Sequence, residues 1–236
     1  MRFMRKSYHK RFTSVIVLCA VIVIFGIGLV GARELSKKAN PKSPRVSPLP
    51  STYQIADVPY YAWKNFCYAG SVMMVLRFNG LSDNQVQGFK QILQTKGRGG
   101  PPDTFIGLRS LELLNKVHLA YSKNYNQQFE RFYQQEFGVP GSQIDYLAGT
   151  DEALAYLKRL VSSNIPVIAL IQKGNHYVVV TGYDGNYIYI SDPDPDYGQR
   201  KIAIADFLNE WQEYRQDLKG DQIGFPGEYG MIWLEK

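Results

Sequence analysis

Cysteine is almost absent from this sequence, and its scarcity excludes a disulfide framework. The 236 residues contain two cysteines, and Cys19 lies in the middle of a long apolar run near the amino terminus. Cys67 is therefore the single thiol of the rest of the chain and cannot form an intramolecular disulfide. In an exported domain a lone thiol risks oxidation, so we expect Cys67 to be either buried and inert or retained for its reactivity.

Histidine is nearly as rare, which leaves few candidates for a base that works near neutral pH. Three histidines occur in the chain. His118 ends an amphipathic segment and is most simply a structural residue. His176 follows the turn at 173–175 and directly precedes the β-type run at 177–180. A general base needs such a rigid mount beside a cleft, so we take His176 as the candidate base, against the alternative that a histidine in a loop is incidental.

The larger part of the chain also lacks an excess of positive charge. Residues 1–52 hold ten Lys and Arg against the single acid Glu34, whereas the remaining 184 residues hold 17 basic and 20 acidic side chains. The net charge of +6 therefore belongs to the amino-terminal tail. Because the domain has no Lys/Arg stripe that could neutralise phosphates, we exclude nucleic acid as a partner.

The amino-terminal tail has the pattern of a membrane anchor. Residues 1–14 are rich in Lys and Arg, and residues 15–32 are an almost unbroken apolar run. That run would span about 27 Å as a helix, close to the roughly 30 Å hydrocarbon core of a bilayer. We predict a single-pass transmembrane anchor or uncleaved signal, with the basic end in the cytoplasm and the rest of the chain extracytoplasmic. No lipobox surrounds Cys19, so a lipoprotein is not expected.

The remaining chain divides into a linker and a folded domain. Residues 33–54 are rich in Pro, Ser and Lys, a composition typical of an extended tether. Residues 55–236 are expected to form the domain, and we find no ATPase or transporter segment in the chain. We therefore expect the cell membrane as its location, with the domain held outside the cytoplasm by the apolar helix.

The pattern of the domain places helices first and strands second. Apolar residues at helical spacing begin at Cys67 and continue to Phe78. The later elements are two helices and three β-type runs, at 108–117, 151–161, 167–171, 177–182 and 187–191. This order predicts an α+β architecture in which a helical half packs on an antiparallel sheet, with a cleft between them. At a helix amino terminus Cys67 would be favoured as thiolate beside free N–H donors, which argues against an inert buried cysteine.

A carboxylate is predicted close to His176. The β-type run at 187–191 ends at Asp192, and a hairpin with the preceding run would return Asp192 to the end of the sheet where His176 lies. A carboxylate there could accept the second imidazole N–H and fix its tautomer. Asp194 and Asp196 are competitors, and the cluster is also compatible with a turn or an oxygen-rich calcium loop. Against the calcium loop, the prolines keep the chain extended and no regular pattern of loop ligands follows.

Several sequence blocks stand in a recognisable order. They are VPY at 58–60, CYAGSVMMVL at 67–76, IPVIAL at 165–170, HYVVVTGYD at 176–184 and ISDP at 190–193. Together they resemble the Peptidase_C39-like family, bacterial papain-fold relatives of the double-glycine-leader peptidases of bacteriocin exporters. The resemblance covers roughly residues 55–236 and implies a papain-like fold with Cys67 as nucleophile, His176 as base and Asp192 as the orienting carboxylate.

One departure from the family pattern concerns the oxyanion hole. The family usually has a Gln ahead of its cysteine, and Tyr61 stands at that position here. Loss of one oxyanion donor costs about 100- to 1000-fold in turnover. Asn65 and the Tyr61 hydroxyl are the candidate substitutes in this chain.

We therefore expect a membrane-anchored extracytoplasmic cysteine hydrolase, a peptidase that cleaves amide bonds through an acyl-enzyme. Its partners would be a peptide or protein substrate and the membrane, and no cofactor or metal is expected. The alternative is a catalytically weakened papain-like domain that binds peptide or cell-wall fragments, with Trp63 and Tyr68 as substrate-binding candidates beside the thiol. An acyl transferase would use the same triad and would differ only in the group that attacks the intermediate.

Overall fold

The computed structural model describes most of the domain. The described residues are 48–96, 107–123, 140–212 and 228–235, with the isolated positions 131, 134, 135 and 138. All of them except Pro48 belong to one compact unit, Leu49–Lys236. The predicted tail 1–14, the predicted anchor 15–32 and most of the linker 33–54 lie outside them. Within the ranges just given, no helix combines the length and the hydrophobicity needed to cross a membrane.

The first half of the described chain is mainly helical and the second half mainly strand. In chain order the elements are β1 (Tyr53–Gln54), α1 (Cys67–Phe78), α2 (Asp83–Lys96), β2 (Val117–Ser122), β3 (Ile144–Leu147), α3 (Thr150–Ser162), β4 (Val167–Ile171), β5 (His176–Tyr183), β6 (Tyr187–Ser191), β7 (Gln199–Ala203), α4 (Ile204–Gln212) and β8 (Met231–Leu234). Three short 3₁₀ turns lie between them, at Leu114–Lys116, Gly141–Gln143 and Gln172–Gly174.

The strands form a single mixed sheet. Its order is β3-β2-β8-β4-β5-β6-β7, and β1 pairs with the end of β5. Most neighbours are antiparallel, whereas β2 and β3 are parallel, with Leu119 opposite Ile144. The expectation of a purely antiparallel sheet is therefore wrong. Parallel strands need a crossover of a dozen or more residues, and the long connection between β2 and β3 is sufficient for one.

Both faces of the central strands are covered by helices. In β4, Ile168 and Leu170 pack in the core cluster that contains α1 and α2. Val167, Ala169 and Ile171 point the other way, into the cluster that contains α3 and α4. A strand that is buried on both sides has a continuous apolar sequence instead of an alternating one. The prediction of a helical half packed against a sheet half is therefore wrong in this respect: the sheet lies between two layers of helices.

The helix predicted over 108–117 is wrong. Residues 107–110 are helical, but Glu112 has a left-handed backbone with φ of 58°. An L-residue in that conformation cannot continue a right-handed helix. The chain resumes with the 3₁₀ turn and enters β2 at Val117, so His118 lies in a strand instead of at a helix end.

The elements around the candidate site agree with the sequence prediction. Helix α1 begins at Cys67 and ends at Phe78. The run predicted at 187–191 is β6, and the run predicted at 177–182 lies within β5. Residues Tyr68–Leu76 of α1 are all buried, so this helix is a central element of the core. The burial of these side chains fixes the position of α1 and therefore of Cys67 at its start.

Candidate active site

Cys67 is the first residue of α1. The residue before it, Phe66, has a non-helical backbone and makes no side-chain cap, and the first helical bond runs from the Gly70 N–H to the Phe66 carbonyl at 2.9 Å. The amide groups at the start of such a helix have no carbonyl partner within the helix. Cys67 is a free, half-buried thiol. It therefore lies beside amide groups that have no carbonyl partner within the helix, at the positive end of the helix dipole.

His176 is the first residue of β5 and is buried. It pairs with Ile171 of β4, and a 3₁₀ turn over Gln172–Gly174 returns the chain between the two strands. Its Nε2 lies 2.7 Å from Oδ1 of Asp192. The other ring nitrogen, Nδ1, is thus the one available to Cys67, whose interaction with the ring contributes to the raised pKa of His176. The imidazole lies between the thiol and the carboxylate.

Asp192 follows the last residue of β6 and its carboxylate is fully buried. Strand register explains its position: Ser191 lies opposite Val179, so the antiparallel chain brings Asp192 toward the start of β5. The competing carboxylates lie elsewhere. Asp194 accepts the Asp196 N–H at 3.1 Å, and Asp196 pairs with Lys64 at 2.6 Å. Of the three carboxylates, Asp192 is the one that contacts His176.

The charges in this arrangement reinforce one another. Burial alone would lower the pKa of His176, but hydrogen bonds to Asp192 and Cys67 and the negative charges of both groups raise that pKa to about 9. Burial alone would raise the pKa of Asp192, but hydrogen bonds from His176 and from the Asp194 N–H, with the imidazolium charge and Arg200, hold it below its usual value. At neutral pH the geometry therefore favours a protonated imidazole beside an ionised Asp192 carboxylate.

The predicted oxyanion donors lie just ahead of the nucleophile. Asn65 is exposed and has a left-handed backbone with φ of 67°, a conformation that asparagine tolerates better than most residues. This turn redirects the chain into α1. Tyr61 is half-buried and packs against the core cluster that contains α1. Both residues are in the segment that leads to Cys67, and Asn65 is the nearer in sequence.

The two predicted substrate contacts differ in their burial. Trp63 is half-buried, stacks on Phe66 with 4.8 Å between ring centroids, and has the Lys90 ammonium 4.8 Å from its ring. Tyr68 is 2% exposed, and its ring lies 4.4 Å from that of Tyr177 inside the core. The prediction that Tyr68 contacts substrate is therefore wrong for this structure: the residue after Cys67 points into the core because the helix buries that face.

The loop after Asp192 is attached to the segment before Cys67. The Trp63 N–H donates to the Pro193 carbonyl at 2.8 Å, and the Lys64–Asp196 ion pair links the same two segments. Gly70 lets them approach α1, because a Cβ added to it would lie 2.6 Å from the Cβ of Pro193. These contacts connect the start of α1 with the end of β6.

Sequence reasoning missed Arg200. Its Nη2 donates to Oδ2 of Asp192 at 3.1 Å from the neighbouring strand β7. The signal that could have revealed it is the hairpin of β6 and β7, in which Ser191 lies opposite Gln199. The parts of the chain described above contain no cluster of three or more His, Cys, Asp or Glu side chains that could hold a metal ion.

Comparisons with known proteins point to one family. The sequence model of the Peptidase_C39 like family matches residues 55–218. The chain is 37% identical over 62 residues to the lactococcin-A transport/processing ATP-binding protein LcnC of Lactococcus lactis subsp. lactis, a match that covers 26% of this chain and 9% of that protein. It therefore spans about a tenth of the length of the curated relatives it matches.

Two solved structures are similar over most of the chain. One is a putative C39-like peptidase from Bacillus anthracis, with 15% identity, a TM-score of 0.46, and coverage of 79% of this chain and 99% of that one. The other is the peptidase domain of Streptococcus ComA, a bi-functional ABC transporter involved in a quorum sensing pathway, with 14% identity, a TM-score of 0.42, and coverage of 76% and 100%.

Proposed function

The chain belongs to the Peptidase_C39 like family, whose match covers residues 55–218, and we propose that Cys67, His176 and Asp192 form the catalytic triad of its cysteine peptidase domain. The observation that carries this proposal is the position of the buried His176 ring. One nitrogen lies 2.7 Å from Asp192, and the ring is near enough to Cys67 for the thiol to contribute to the raised pKa of His176. A nucleophile, a base and an orienting carboxylate in this order are the arrangement required for acyl transfer.

In the proposed reaction, the thiol proton of Cys67 passes to His176 and the sulfur attacks the carbonyl carbon of a peptide bond. The imidazolium then protonates the departing amine as the C–N bond breaks, which leaves an acyl-enzyme. A water molecule gives its proton to His176 and attacks the acyl carbon, and the thiol is regenerated as the acid leaves. Asp192 keeps the ring in the tautomer and orientation that both transfers need.

The developing oxyanion would be met by donors at the start of α1. Amide groups there have no helical partner and point toward negative charge. We propose the Asn65 side-chain amide as the second donor, because Asn65 lies in the turn directly before α1 and is exposed. The half-buried Tyr61 hydroxyl is the alternative. Each can be removed without altering the nucleophile, by Asn65→Ala or Tyr61→Phe.

A peptide is the substrate class that we propose. The name of the lactococcin-A relative describes it as a transport and processing protein, and the family description is that of peptidases. Trp63, half-buried beside the amino terminus of α1, would offer an aromatic surface to an extended peptide. If the thiol proves unreactive, the same surface supports the second function, a papain-like domain that binds peptide or cell-wall fragments without cleaving them.

We also propose a location for this activity. The apolar run at 15–32, preceded by basic residues, would anchor the chain in the cell membrane. The positive-inside rule would then place the domain outside the cytoplasm. Protease treatment of intact spheroplasts that produce the full chain tests the orientation: the domain should be degraded, and protection of the domain would contradict it.

The test of the triad is the alkylation of Cys67 by iodoacetamide as a function of pH. The full-length chain with Cys19→Ala in detergent has Cys67 as its single thiol. We expect rapid labelling below pH 7 that is lost in His176→Ala and reduced in Asp192→Ala. An ordinary thiol is labelled appreciably only as the pH approaches about 8.5.

His118→Ala is the matched control, because it removes the other histidine of the domain and should leave labelling unchanged. Slow labelling of the parent chain that rises only near pH 8.5, with no dependence on His176, would contradict the triad and favour the binding domain. If labelling is fast, a library of peptides followed by mass spectrometry then identifies cleaved bonds.

A further inference from the structure

Asp192 carries a negative charge in a fully buried position, which requires more than one partner. A buried carboxylate is costly unless charge pairing and hydrogen bonds satisfy both of its oxygens. Oδ1 contacts His176 Nε2 at 2.7 Å and accepts the Asp194 N–H at 3.0 Å. Oδ2 accepts from Arg200 Nη2 at 3.1 Å. The two oxygens thus have different partners, and the catalytic contact uses only one of them.

Arg200 is mounted so that its guanidinium reaches Oδ2 and leaves Oδ1 to His176. It lies on β7, paired with Ile190 of β6. The backbone of the next rung also holds the strands together, since the Asp192 N–H donates to the Gly198 carbonyl at 3.0 Å. The guanidinium carbon is 4.9 Å from the centroid of the Tyr197 ring, so an aromatic surface restricts the arginine side chain.

The burial of the two partners also differs. The Arg200 side chain is 31% exposed, whereas the Asp192 side chain is 0% exposed. Arg200 thus keeps part of its hydration, whereas the Asp192 carboxylate that it neutralises has no contact with solvent. A charged hydrogen bond of this kind is stronger than a neutral one, and the planar guanidinium restricts the orientation of the carboxylate.

We propose that Arg200 is a positioning residue of the site: its hydrogen bond to Oδ2 holds the Asp192 carboxylate with Oδ1 toward the His176 ring. This inference rests on the proposed triad and adds a fourth member, which acts through Asp192 and touches neither the nucleophile nor the substrate. Without Arg200 the carboxylate would be held through Oδ1 alone, so its orientation would be less restricted and it would take up a proton more readily.

The groups that face Asp192 come from four segments. His176 approaches from β5, Arg200 from β7, and the Asp194 backbone from the loop that follows. Tyr60 belongs to the segment before α1. Burial raises the pKa of Tyr60, and the charges of Asp192 and Asp194 raise it further. Arg200 is the one among these partners that adds positive charge without taking part in the proposed proton transfer.

The control is provided by the adjacent residue. Lys201 also carries a positive charge on β7, but successive side chains of a strand point to opposite faces. Its ammonium lies 3.4 Å from the Tyr189 hydroxyl and 4.4 Å from the centroid of that ring. Lys201→Met therefore removes the same charge from the same strand without altering the contact to Asp192.

The experiment measures iodoacetamide labelling of Cys67 between pH 5 and pH 9 in the full-length Cys19→Ala chain. We expect Arg200→Met to slow labelling at pH 6.5 by about three- to tenfold and to move the acid limb of the profile upward by about half a unit or more. Arg200→Lys should give an intermediate result and Lys201→Met should match the parent chain. In a chain that already carries Asp192→Asn, adding Arg200→Met should change nothing further.

Two results would overturn the assignment: labelling of Arg200→Met that equals or exceeds that of the parent, and an additional loss when Arg200→Met is combined with Asp192→Asn. If Arg200→Met fails to fold by circular dichroism, Arg200→Lys decides, and a profile identical to the parent overturns the assignment. If the parent chain is labelled slowly and without dependence on His176, both the triad and this inference are wrong. If the parent chain is labelled fast and Arg200→Met is labelled at the same rate, only the inference about Arg200 is wrong.

Discussion

Two histidines of the domain each lie against a carboxylate, but their surroundings differ. His176 and Asp192 are 2.7 Å apart, with side chains 10% and 0% exposed. His118 and Glu235 are 3.1 Å apart, with side chains 21% and 68% exposed. The first pair has a thiol on one side and Arg200 on the other. The His118 ring stacks on Trp233 at 5.4 Å between centroids.

The comparison shows that contact between a histidine and a carboxylate is not by itself a functional site. The His118–Glu235 pair is at the end of β2 and β8, where water can solvate the carboxylate and weaken the attraction. In the His176–Asp192 pair both groups have lost water, so their interaction governs which of them is charged. Burial and the additional partners distinguish the candidate site from the surface pair.

The largest expected effect comes from neutralising each carboxylate in turn. Asp192→Asn should lower the free energy of unfolding by about 3 kcal/mol or more, because a buried charge network loses one member while Arg200 and His176 remain. Glu235→Gln should change it by less than about 1 kcal/mol, since an exposed pair contributes little. Urea denaturation of the two variants measures both values. Equal effects would mean that the two pairs are equivalent after all.

A smaller effect is expected at Gly70, the glycine that lets the loop after Asp192 approach α1. Gly70→Ala should cost about 1–3 kcal/mol, because the added methyl would overlap Pro193 next to Asp192. Gly88 of α2 has no atom within 4 Å of an added Cβ, so Gly88→Ala should instead stabilise the helix by about 0.5–1 kcal/mol. Thermal melting of the two variants tests the contrast. A neutral Gly70→Ala would show that Pro193 can move without cost.

The smallest effect is a pH dependence of stability that His176 contributes. Its pKa in the folded chain, about 9, is above the ordinary value of 6.5, so the folded state binds the proton more tightly. The contribution is fully present below pH 6.5 and is lost as the pH rises toward 9. One pKa unit corresponds to about 1.4 kcal/mol, so the change from 6.5 to about 9 would give at most about 3.5 kcal/mol. We expect a loss of about 2 kcal/mol or less across this window, because solvent beside the half-buried Cys67 weakens its interaction with His176.

The measurement is urea denaturation of the parent chain at pH 6.5 and pH 9. His176→Gln should remove most of the difference between the two pH values, whereas His118→Gln should preserve it. A difference that persists in His176→Gln would assign the pH dependence to other groups. A difference that disappears in His118→Gln would reverse the comparison between the two pairs.

Local patterns predicted the elements that hold the candidate site. The apolar spacing after Cys67 predicted a helix that begins at that residue, and α1 does so. The β-type runs on either side of Asp184 predicted the hairpin of β5 and β6. Such predictions succeed because helix and strand periods depend on residues close in sequence. The parallel pairing of β2 and β3 was not predictable in this way, because no local pattern encodes which distant strand a segment joins.

The rarity of two residue types was equally informative. The chain has a single thiol outside the apolar run and two histidines in the domain. The candidates were therefore one residue for the nucleophile and two for the base. The residue after Cys67 shows the opposite case. Tyr68 was predicted to contact substrate from its proximity in sequence, but the helix turns its ring into the core. Proximity along a helix does not determine which face a side chain occupies.

The sequence by itself therefore determined the helix that begins at Cys67, the β-type run that directly follows the candidate base, and the family blocks that contain them. The sequence favoured Asp192 over its competitors Asp194 and Asp196, and the tertiary structure decided that Asp192 is the one in contact with His176. It also decided that Arg200 holds the second oxygen of that carboxylate. The physical reason is that these contacts depend on strand register and on burial from solvent, and both are properties of the assembled sheet instead of any single segment.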